Sequence, residues 1–225
     1  MSTSNFAGRA EAYTTARPGY PAEALSYIHA LAPAGAIFAD VGAGTGKFTA
    51  LLSAYGNEVY AVEPDADMRG ALAHTLSAFP NTRAINGSAE ATTLLDNSVD
   101  VITAAQALNW FDIVAFRTEC LRIGKPNPLV VALYNDERVN GHSAARYQKS
   151  TGALFSNPDV RTFPNPTGFT RARWQLYHAS MAGVPNENDA DYEAYFDGIN
   201  AEFDLRSVNG ILCLDLVTTV YSERL

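Results

Sequence analysis

The segment ADVGAGTGKFT at residues 39–49 places Gly42, Gly44 and Gly46 at alternate positions between two predicted regular elements. The apolar run AIFAD, which leads into the glycines, predicts a buried strand, and KFTALLSAY after them predicts a helix. Glycines between a strand and a helix let a ligand approach the backbone at the positive end of the helix, as nucleotide-like groups do in α/β proteins. The segment therefore predicts an α/β fold with a ligand at the end of its first strand.

Strands and helices alternate along the first 135 residues of the chain. A helix is predicted at 21–32, where leucine and isoleucine recur at helical spacing behind a proline. Apolar runs predict strands at residues 36–40, 58–63, 82–86, 99–104 and 128–135, with helical segments between most of them. Alternation at this pitch predicts a parallel sheet that is covered on both faces and has right-handed crossovers.

The pattern changes after residue 135. Prolines at positions 158, 164, 166 and 185 interrupt the region from 136 to 206. Helices are predicted near residues 142–156, 171–181 and 190–203, with a short strand at 160–163. A single closing strand is predicted at 210–221, because the length and β-branched residues of this segment suit a sheet.

The charge and composition disfavour several classes of partner. The chain has 225 residues, 47% of them hydrophobic, which is enough for one buried core. Sixteen basic and 24 acidic side chains give a net charge of −8, so we expect no nucleic-acid partner. The first residues lack the apolar segment of a signal peptide, and no stretch approaches the about 18 apolar residues of a membrane span. We expect a soluble cytoplasmic protein without a membrane partner.

The cysteines and histidines carry no recognisable site. Cys120 and Cys213 lie far apart in apolar surroundings, which favours free buried thiols and a reducing compartment. The histidines occur singly, without metal-ligand spacing, and we expect no metal site. They are His29, His74, His142 and His178.

The glycine spacing separates the nucleotide-like ligands that such a turn can hold. The P-loop that cradles phosphates requires a first glycine where this chain has Val41, and a serine or threonine where it has Phe48. The dinucleotide fingerprint requires its third glycine where the chain has Lys47. Glu63 closes the second predicted strand, where a carboxylate can accept hydrogen bonds from both hydroxyls of a ribose. The spacing therefore favours a nucleoside that carries no pyrophosphate.

The pattern Asp-x-Gly-x-Gly-x-Gly at residues 40–46 resembles motif I of the class I S-adenosylmethionine-dependent methyltransferases. Four more segments resemble one branch of that family, in the order that the branch has them. They are YTTARPGYP at 13–21, VEPDADM at 62–68, GSAEATTLLDNSVD at 87–100 and AQALNWFD at 105–112. The resemblance implies a Rossmann-like three-layer α/β sandwich with a mostly parallel seven-stranded sheet. It also implies transfer of a methyl group from S-adenosylmethionine to a small molecule, with S-adenosylhomocysteine as product.

The resemblance implies that one part of the chain holds the methionine and ribose groups of this cofactor. Asp40, Gly42, Gly44 and Gly46 would line its methionine side. Glu63 would bind its ribose, the alternative being a solvated acid at the end of a strand.

Four further residues fall where the family contacts the rest of the cofactor. Met68 would pack near the adenine, although a core methionine explains it equally well. Ser88 and Ala89 fall at the positions that contact the adenine amine; many relatives have aspartate in place of Ser88. Gln106 would hydrogen-bond either the cofactor or the backbone of its own loop.

The N-terminal motif and the segment after the fourth strand would complete the site. Tyr13 and Arg17 belong to a segment that folds over the cofactor in the family, where Arg17 would pair with the methionine carboxylate or else form a surface salt bridge. Tyr20 either covers the site or anchors the following helix. Asn109 and Trp110 are candidates for the acceptor pocket, Trp110 being equally explained by core packing. Asn109 stands where close relatives often have histidine, and an amide cannot take up a proton.

The chain is expected to be one domain over residues 1–225. Within it, 1–34 would cover the cofactor, 35–135 would form the binding core, and 136–225 would add helices on the substrate side and the closing strand. The absent histidine leaves a second hypothesis, a cofactor-binding protein without transfer activity that acts as a sensor or partner. A third, an NAD-dependent oxidoreductase, is disfavoured by Lys47. Either a monomer or a homodimer is compatible with the sequence.

Overall fold

A computed structural model describes residues 10–139, 142–143 and 148–225 of the chain. The helices are α1 (Ala10–Ala16), α2 (Ala22–Leu31), α3 (Lys47–Ala54), α4 (Ala66–Leu76), α5 (Ile113–Ile123), α6 (Gln148–Leu154), α7 (Arg171–Ala179) and α8 (Tyr192–Arg206). The strands are β1 (Ile37–Val41), β2 (Glu58–Val62), β3 (Thr82–Ile85), β4 (Val99–Ala105), β5 (Gly124–Val139), β6 (His142–Ser143), β7 (Asp159–Pro164), β8 (Thr167–Phe169), β9 (Leu212–Leu214) and β10 (Leu216–Arg224). A 3₁₀ turn, Leu108–Trp110, follows β4.

The main sheet has the strand order β3-β2-β1-β4-β5-β10-β7, and the short β6 pairs with β5 off this path. The first five strands of this order run parallel to their neighbours, while β10 is antiparallel to both β5 and β7. The predicted mostly parallel seven-stranded sheet is confirmed. From β1 the chain first builds outward to β2 and β3 and then returns to β4 on the other side. This reversal opens a crevice at the carboxyl ends of β1 and β4.

The sheet is covered on both faces, because successive strand residues point to opposite sides. On one face, Phe38 packs in a fully buried cluster with Ile28 of α2 and Leu52 of α3. On the other face, the neighbouring Ala39 belongs to a cluster that contains Phe116 of α5. Two helix layers around one sheet make the predicted three-layer sandwich.

The C-terminal third contains two differences from the sequence prediction. The single strand predicted at 210–221 is wrong, because the chain breaks at Asp215 into β9 and β10. β9 leaves the main sheet to pair with β8, and these two strands pack with α7 and α8 around Phe169 and Trp174. The helix predicted near 142–156 is only partly right: 142–143 is a strand, and the helix begins at Gln148; residues 140–141 and 144–147 lie outside the described chain.

Over the described residues, none of the helices combines the length and the apolar character needed to cross a membrane. In the same part of the chain, no group of acidic, histidine and cysteine side chains is arranged to hold a metal ion.

Candidate functional site

A cavity of about 340 Å³ opens in the crevice at the carboxyl ends of β1, β4 and β5. Eight of the residues proposed from the sequence contribute to its wall: Tyr13, Arg17, Tyr20, Asp40, Gly42, Gln106, Asn109 and Trp110. We call Asp40, Gly42, Ala43 and Lys47 the glycine side of the cavity. We call Gln106, Asn109, Trp110 and Asn135 its amide side. The N-terminal segment supplies a third part of the wall.

The glycine turn follows β1 and has a positive φ at each glycine, where other residues are strained. A Cβ on Gly42 would also lie 2.7 Å from the Ala107 Cβ and 3.0 Å from the ring of Phe111, so the turn and the segment after β4 meet without room for a side chain. A Cβ on Gly46 would lie 2.6 Å from Leu72. Gly42 thus lets the turn pack directly against Ala107 and Phe111, whereas Gly46 lets α3 pack against α4.

Glu63 directly follows β2 and is hydrogen-bonded to the glycine turn. Its Oε2 accepts the backbone N–H of Gly44 at 2.8 Å, and its Oε1 accepts that of Asp65 at 2.9 Å. Burial raises the pKa of this carboxyl, while the two N–H donors act in the opposite direction. Each carboxylate oxygen has a further lone pair, so Glu63 can still accept hydrogen bonds from a ligand beside the turn. The Glu63 side chain is not among the residues that line the cavity.

Asp40 lies at the end of β1 and contributes the carboxylate of the glycine side. Its side chain is almost fully buried and accepts hydroxyl hydrogen bonds from Thr49 at 2.6 Å and Thr103 at 2.8 Å. Burial raises the pKa of Asp40 to about 6, against the effect of the two hydroxyl donors. The carboxylate is therefore fixed in orientation and becomes neutral in mildly acidic solution.

Arg17 is held over the cavity by the C-terminal third of the chain. Its Nε donates to Ser180 Oγ at 2.8 Å, and an Nη donates to the carbonyl of the same residue at 3.3 Å. The guanidinium also lies over the rings of Tyr13 and Tyr177, at 5.0 and 5.3 Å from their centroids. Burial raises the pKa of Tyr13, and the neighbouring Arg17 charge lowers it. Arg17 is thus a fixed positive charge between two aromatic rings.

The backbone carbonyls next to Arg17 are held from several elements. Lys47 donates to the carbonyl of Arg17, and Arg173 donates to that of Ala16 at 3.2 Å. The amides of Asn135 and Asn165 both donate to the carbonyl of Gly19, each at 2.9 Å. The N-terminal segment is therefore positioned over the cavity by side chains from α3, α7, β5 and the β7–β8 connection.

The amide side carries side chains that are open to a ligand. Gln106, at the end of β4, has a φ of 59°, a strained value that functional sites often contain. Among the hydrogen bonds of the described residues, none involves the side-chain amide of Gln106 or Asn109. Trp110 remains 38% exposed beside them, which is high for a tryptophan in a core. This side therefore offers amide donors and acceptors together with an aromatic surface.

The other proposed residues lie outside the cavity wall. Met68 is 3% exposed near the start of α4, where its N–H is capped by Asp65. Ser88 forms an isolated bridge with Ala91, and Ala89 is buried in the core. Gly44 and Gly46 are part of the turn but not of the wall. Because Met68, Ser88 and Ala89 also lie outside the wall, the adenine-binding positions remain predictions.

Several wall residues were not predicted from the sequence. Lys47 entered that argument only as a missing glycine, and Asn135 only as the end of a strand. The others include Phe48, Tyr177, Met181, Ala182 and Leu216. For Met181 and Ala182 a signal did exist, because the segment MAGVP resembles the C-terminal part of the family.

Comparison with known proteins yields a sequence match and fold matches. The family described as "Methyltransferase domain" matches residues 39–132, which run from β1 into β5. An uncharacterized methyltransferase from Mycobacterium tuberculosis is 38% identical over 137 residues, which are 60% of this chain and 54% of that protein. The chain therefore spans about half the length of this curated relative.

Solved structures share the fold at low sequence identity. A candidate type II methyltransferase from Anaeromyxobacter dehalogenans has a TM-score of 0.63 at 22% identity, covering 92% of this chain and 97% of that one. Geranyl diphosphate C-methyltransferase from Streptomyces coelicolor, crystallised with Mg²⁺, geranyl diphosphate and S-adenosyl-L-homocysteine, has a TM-score of 0.51 at 14% identity. That match covers 90% of this chain and 83% of the other. At these identities the likeness concerns the fold alone.

Proposed function

Since residues 39–132 match the methyltransferase domain family, we propose that the chain transfers a methyl group from S-adenosylmethionine to a small molecule. The observation that carries this proposal is the glycine side of the cavity. There, a bare backbone turn, the Glu63 carboxylate bonded to that turn and the fixed charge of Arg17 lie close together. The fold of a neighbour that holds S-adenosyl-L-homocysteine supports the same cofactor.

The described residues suit the methionine and ribose parts of this cofactor. The Arg17 guanidinium would pair with its carboxylate, and the buried Asp40 carboxylate would attract its ammonium group. Glu63 would accept the ribose hydroxyls beside the N–H of Gly44. Gly42 lets the turn pack directly against Ala107, which fixes the position of its backbone beside the ligand.

The protein's contribution to the reaction would be alignment and exclusion of water. When bound, the cofactor supplies a methyl group on a positively charged sulfur, which is already a good leaving group. The amide side would orient the acceptor in line with that bond, and Trp110 would wall it from solvent. Such orientation can lower a barrier by about 7–11 kcal/mol. None of the described amide-side residues, Gln106, Asn109, Trp110 and Asn135, takes up a proton near neutral pH.

Calorimetric titration with S-adenosylhomocysteine tests the proposal. We expect a one-to-one complex with the wild type, and no measurable heat with NADH under the same conditions. Glu63→Ala should bind about 10- to 150-fold more weakly, because hydrogen bonds to a charged group contribute roughly 1.5–3 kcal/mol.

Glu58→Ala is the matched control, since Glu58 begins the same strand and only accepts a hydrogen bond from Tyr60. This variant should bind like the wild type. Equal binding by wild type and Glu63→Ala, or no binding by either, would remove the proposed cofactor.

A cofactor-binding protein without transfer activity is the second candidate, and Asn109 is the observation in its favour. Binding of S-adenosylhomocysteine without turnover over a broad acceptor panel would support it, and one methylated product would remove it. We also propose a cytoplasmic location and a monomer or homodimer that acts on small molecules. Cys120 and Cys213 are both free, which suits a reducing compartment.

A further inference from the structure

Among the described residues, three basic side chains near the cavity have no acidic partner. They are Arg17, Lys47 and Arg173, and the salt bridges found among the described residues all involve other basic groups. Instead, the hydrogen-bond acceptors of Lys47 and Arg173 are backbone carbonyls, and those of Arg17 are the hydroxyl and carbonyl oxygens of Ser180. Unpaired, partly buried cations are costly, so this arrangement points to an anion that is bound during function.

Lys47 is in the least favourable position of the three. It is the first residue of α3, where the helix dipole is positive and repels a cation. Burial, together with the positive charges of Arg173 and Arg17, lowers the pKa of Lys47 to about 8. A positive charge kept there in a chain of net charge −8 indicates a role in binding.

The cofactor alone does not balance these charges. Within the wall, Arg17 and Lys47 are positive and Asp40 is negative. S-adenosylmethionine carries a carboxylate, an ammonium group and a sulfonium, so it adds a further net positive charge. The carboxylate can pair with Arg17 and the ammonium group with Asp40. Lys47 is then left without a counter-ion among the residues that line the cavity.

Over the described residues, the wall contains no histidine that could remove a proton from the acceptor. Its Asp40 carboxylate is already assigned to the ammonium group of the cofactor in the proposed function. An acceptor that is already ionised avoids this requirement.

We propose that the methyl acceptor is a small carboxylic acid with an apolar body, bound as its carboxylate with Lys47 supplying the opposite charge. This inference rests on the proposed function and names its substrate class. The amides of Gln106 and Asn109 would donate hydrogen bonds to the carboxylate, while Trp110 and Leu216 contact its body. In the transfer, a carboxylate oxygen forms a bond to the methyl carbon and the carbon–sulfur bond breaks. Its electron pair stays on sulfur, the product is a methyl ester, and no proton is released.

The test uses the full chain saturated with S-adenosylhomocysteine. Phenylacetate, hexanoate and glutarate are titrated calorimetrically, each beside its neutral amide. At least one acid should bind about tenfold more tightly than its amide, and Lys47→Met should remove that preference, as expected for a charge-assisted hydrogen bond. Lys149→Met is the matched control, since Lys149 is exposed on α6 and does not line the cavity. It should keep the preference.

The outcomes separate this inference from the proposed function. If S-adenosylhomocysteine does not bind, both are wrong. If it binds but no acid exceeds its amide, or if Lys47→Met keeps the preference, only the carboxylate acceptor is wrong. Weaker binding of S-adenosylhomocysteine to Lys47→Met, with the acid preference unchanged, would assign Lys47 to the cofactor and also overturn the inference.

Measuring ester formation and proton release during turnover tests the carboxylate acceptor independently. With S-adenosylmethionine and the best-binding acid in a weakly buffered indicator solution, methyl ester should form without any proton release. One proton released for each methyl group transferred, or no ester formed from any of the acids, would overturn the proposal.

Discussion

The glycine side and the amide side of the cavity are built in different ways. The glycine side comes from one short stretch of chain, residues 40–47, with Glu63 beside it at the end of the next strand. The amide side joins Gln106, Asn109 and Trp110 to Asn135, which lies within the carboxyl-terminal half of β5. The first presents backbone, fixed carboxylates and the Lys47 side chain, and the second presents side-chain amides and an aromatic ring. Apart from Lys47, which we assign to the acceptor, the difference suits an invariant cofactor on the first side and a variable acceptor on the second.

Gly42 packs against Ala107 and Phe111, in the segment that carries most of the amide side, and disrupting that contact should have the largest effect. Gly42→Ala adds a Cβ 2.7 Å from the Ala107 Cβ at a residue whose φ is +71°. Overpacking and backbone strain together should lower the free energy of unfolding by about 3 kcal/mol. Urea denaturation measures this change.

Gly44→Ala is the matched control, because its φ is +57° but no atom lies within 4 Å of the added Cβ. It should cost only about 1 kcal/mol, from backbone strain alone. Equal losses in the two variants would show that the turn is not in tight contact with that segment at Gly42.

Acidification should weaken the glycine side selectively. Asp40 has a pKa raised to about 6, so it loses its charge as the pH falls through that value, and with it the attraction for the cofactor's ammonium group. Affinity for S-adenosylhomocysteine should fall by up to about tenfold for each pH unit below 6. Glu63, whose pKa burial also raises, adds to this dependence.

Calorimetry between pH 5 and pH 7.5 measures the slope. Asp40→Asn should lose most of it, because an amide does not titrate in this range. Asp100→Asn should keep it, since Asp100 pairs with Lys125 and hydrogen bonds to that lysine and to Ile37 hold its pKa low. A wild-type slope in Asp40→Asn would place the ammonium group elsewhere.

Asn135 links the amide side to the N-terminal segment, so removing its side chain should weaken cofactor binding moderately. Asn135→Ala removes one of two donors to the Gly19 carbonyl and should weaken S-adenosylhomocysteine binding several-fold, by about 1 kcal/mol. Asn165→Ala removes the other donor and should act similarly, although Asn165 does not line the cavity. Full affinity in both variants would mean that the segment does not contribute to cofactor binding.

The smallest effect on cofactor affinity is expected from Asn109→Ala. This side chain belongs to the amide side, so S-adenosylhomocysteine should bind within about twofold of the wild type, while acid binding to that complex weakens. Calorimetry on the free protein and on the cofactor complex separates the two. A tenfold loss of S-adenosylhomocysteine affinity would assign Asn109 to the cofactor and blur the distinction between the sides.

The sequence predicted the glycine side better than the amide side for a physical reason. A turn that must be bare of side chains between a strand and a helix is encoded locally, so Gly42 and its neighbours are visible as a motif. Asn135 and Leu216 reach the cavity only because β5 and β10 pair in the folded sheet, and no local pattern records that pairing. Lys47 was visible, but its lack of an acidic partner emerges only from the packing of α1 and α7 around it.

The fold shows the same limit. Alternating apolar runs predicted β1 to β5 within a few residues at the ends that bear the site, because buried parallel strands depend on local hydrophobicity. The continuous apolar segment at 210–221 hid the break at Asp215, since either half can pair in a sheet. Only the presence of β8 beside β9 decides that the first half leaves the main sheet.

A crystal structure of the chain with S-adenosylhomocysteine tests the division of the cavity most directly. We predict that the ligand's carboxylate contacts Arg17, that its ribose hydroxyls contact Glu63, and that its sulfur faces Asn109 and Trp110 across an open space. A ligand bound outside this cavity, or one whose sulfur faces away from the amide side, would contradict the assignment of cofactor and acceptor to the two sides.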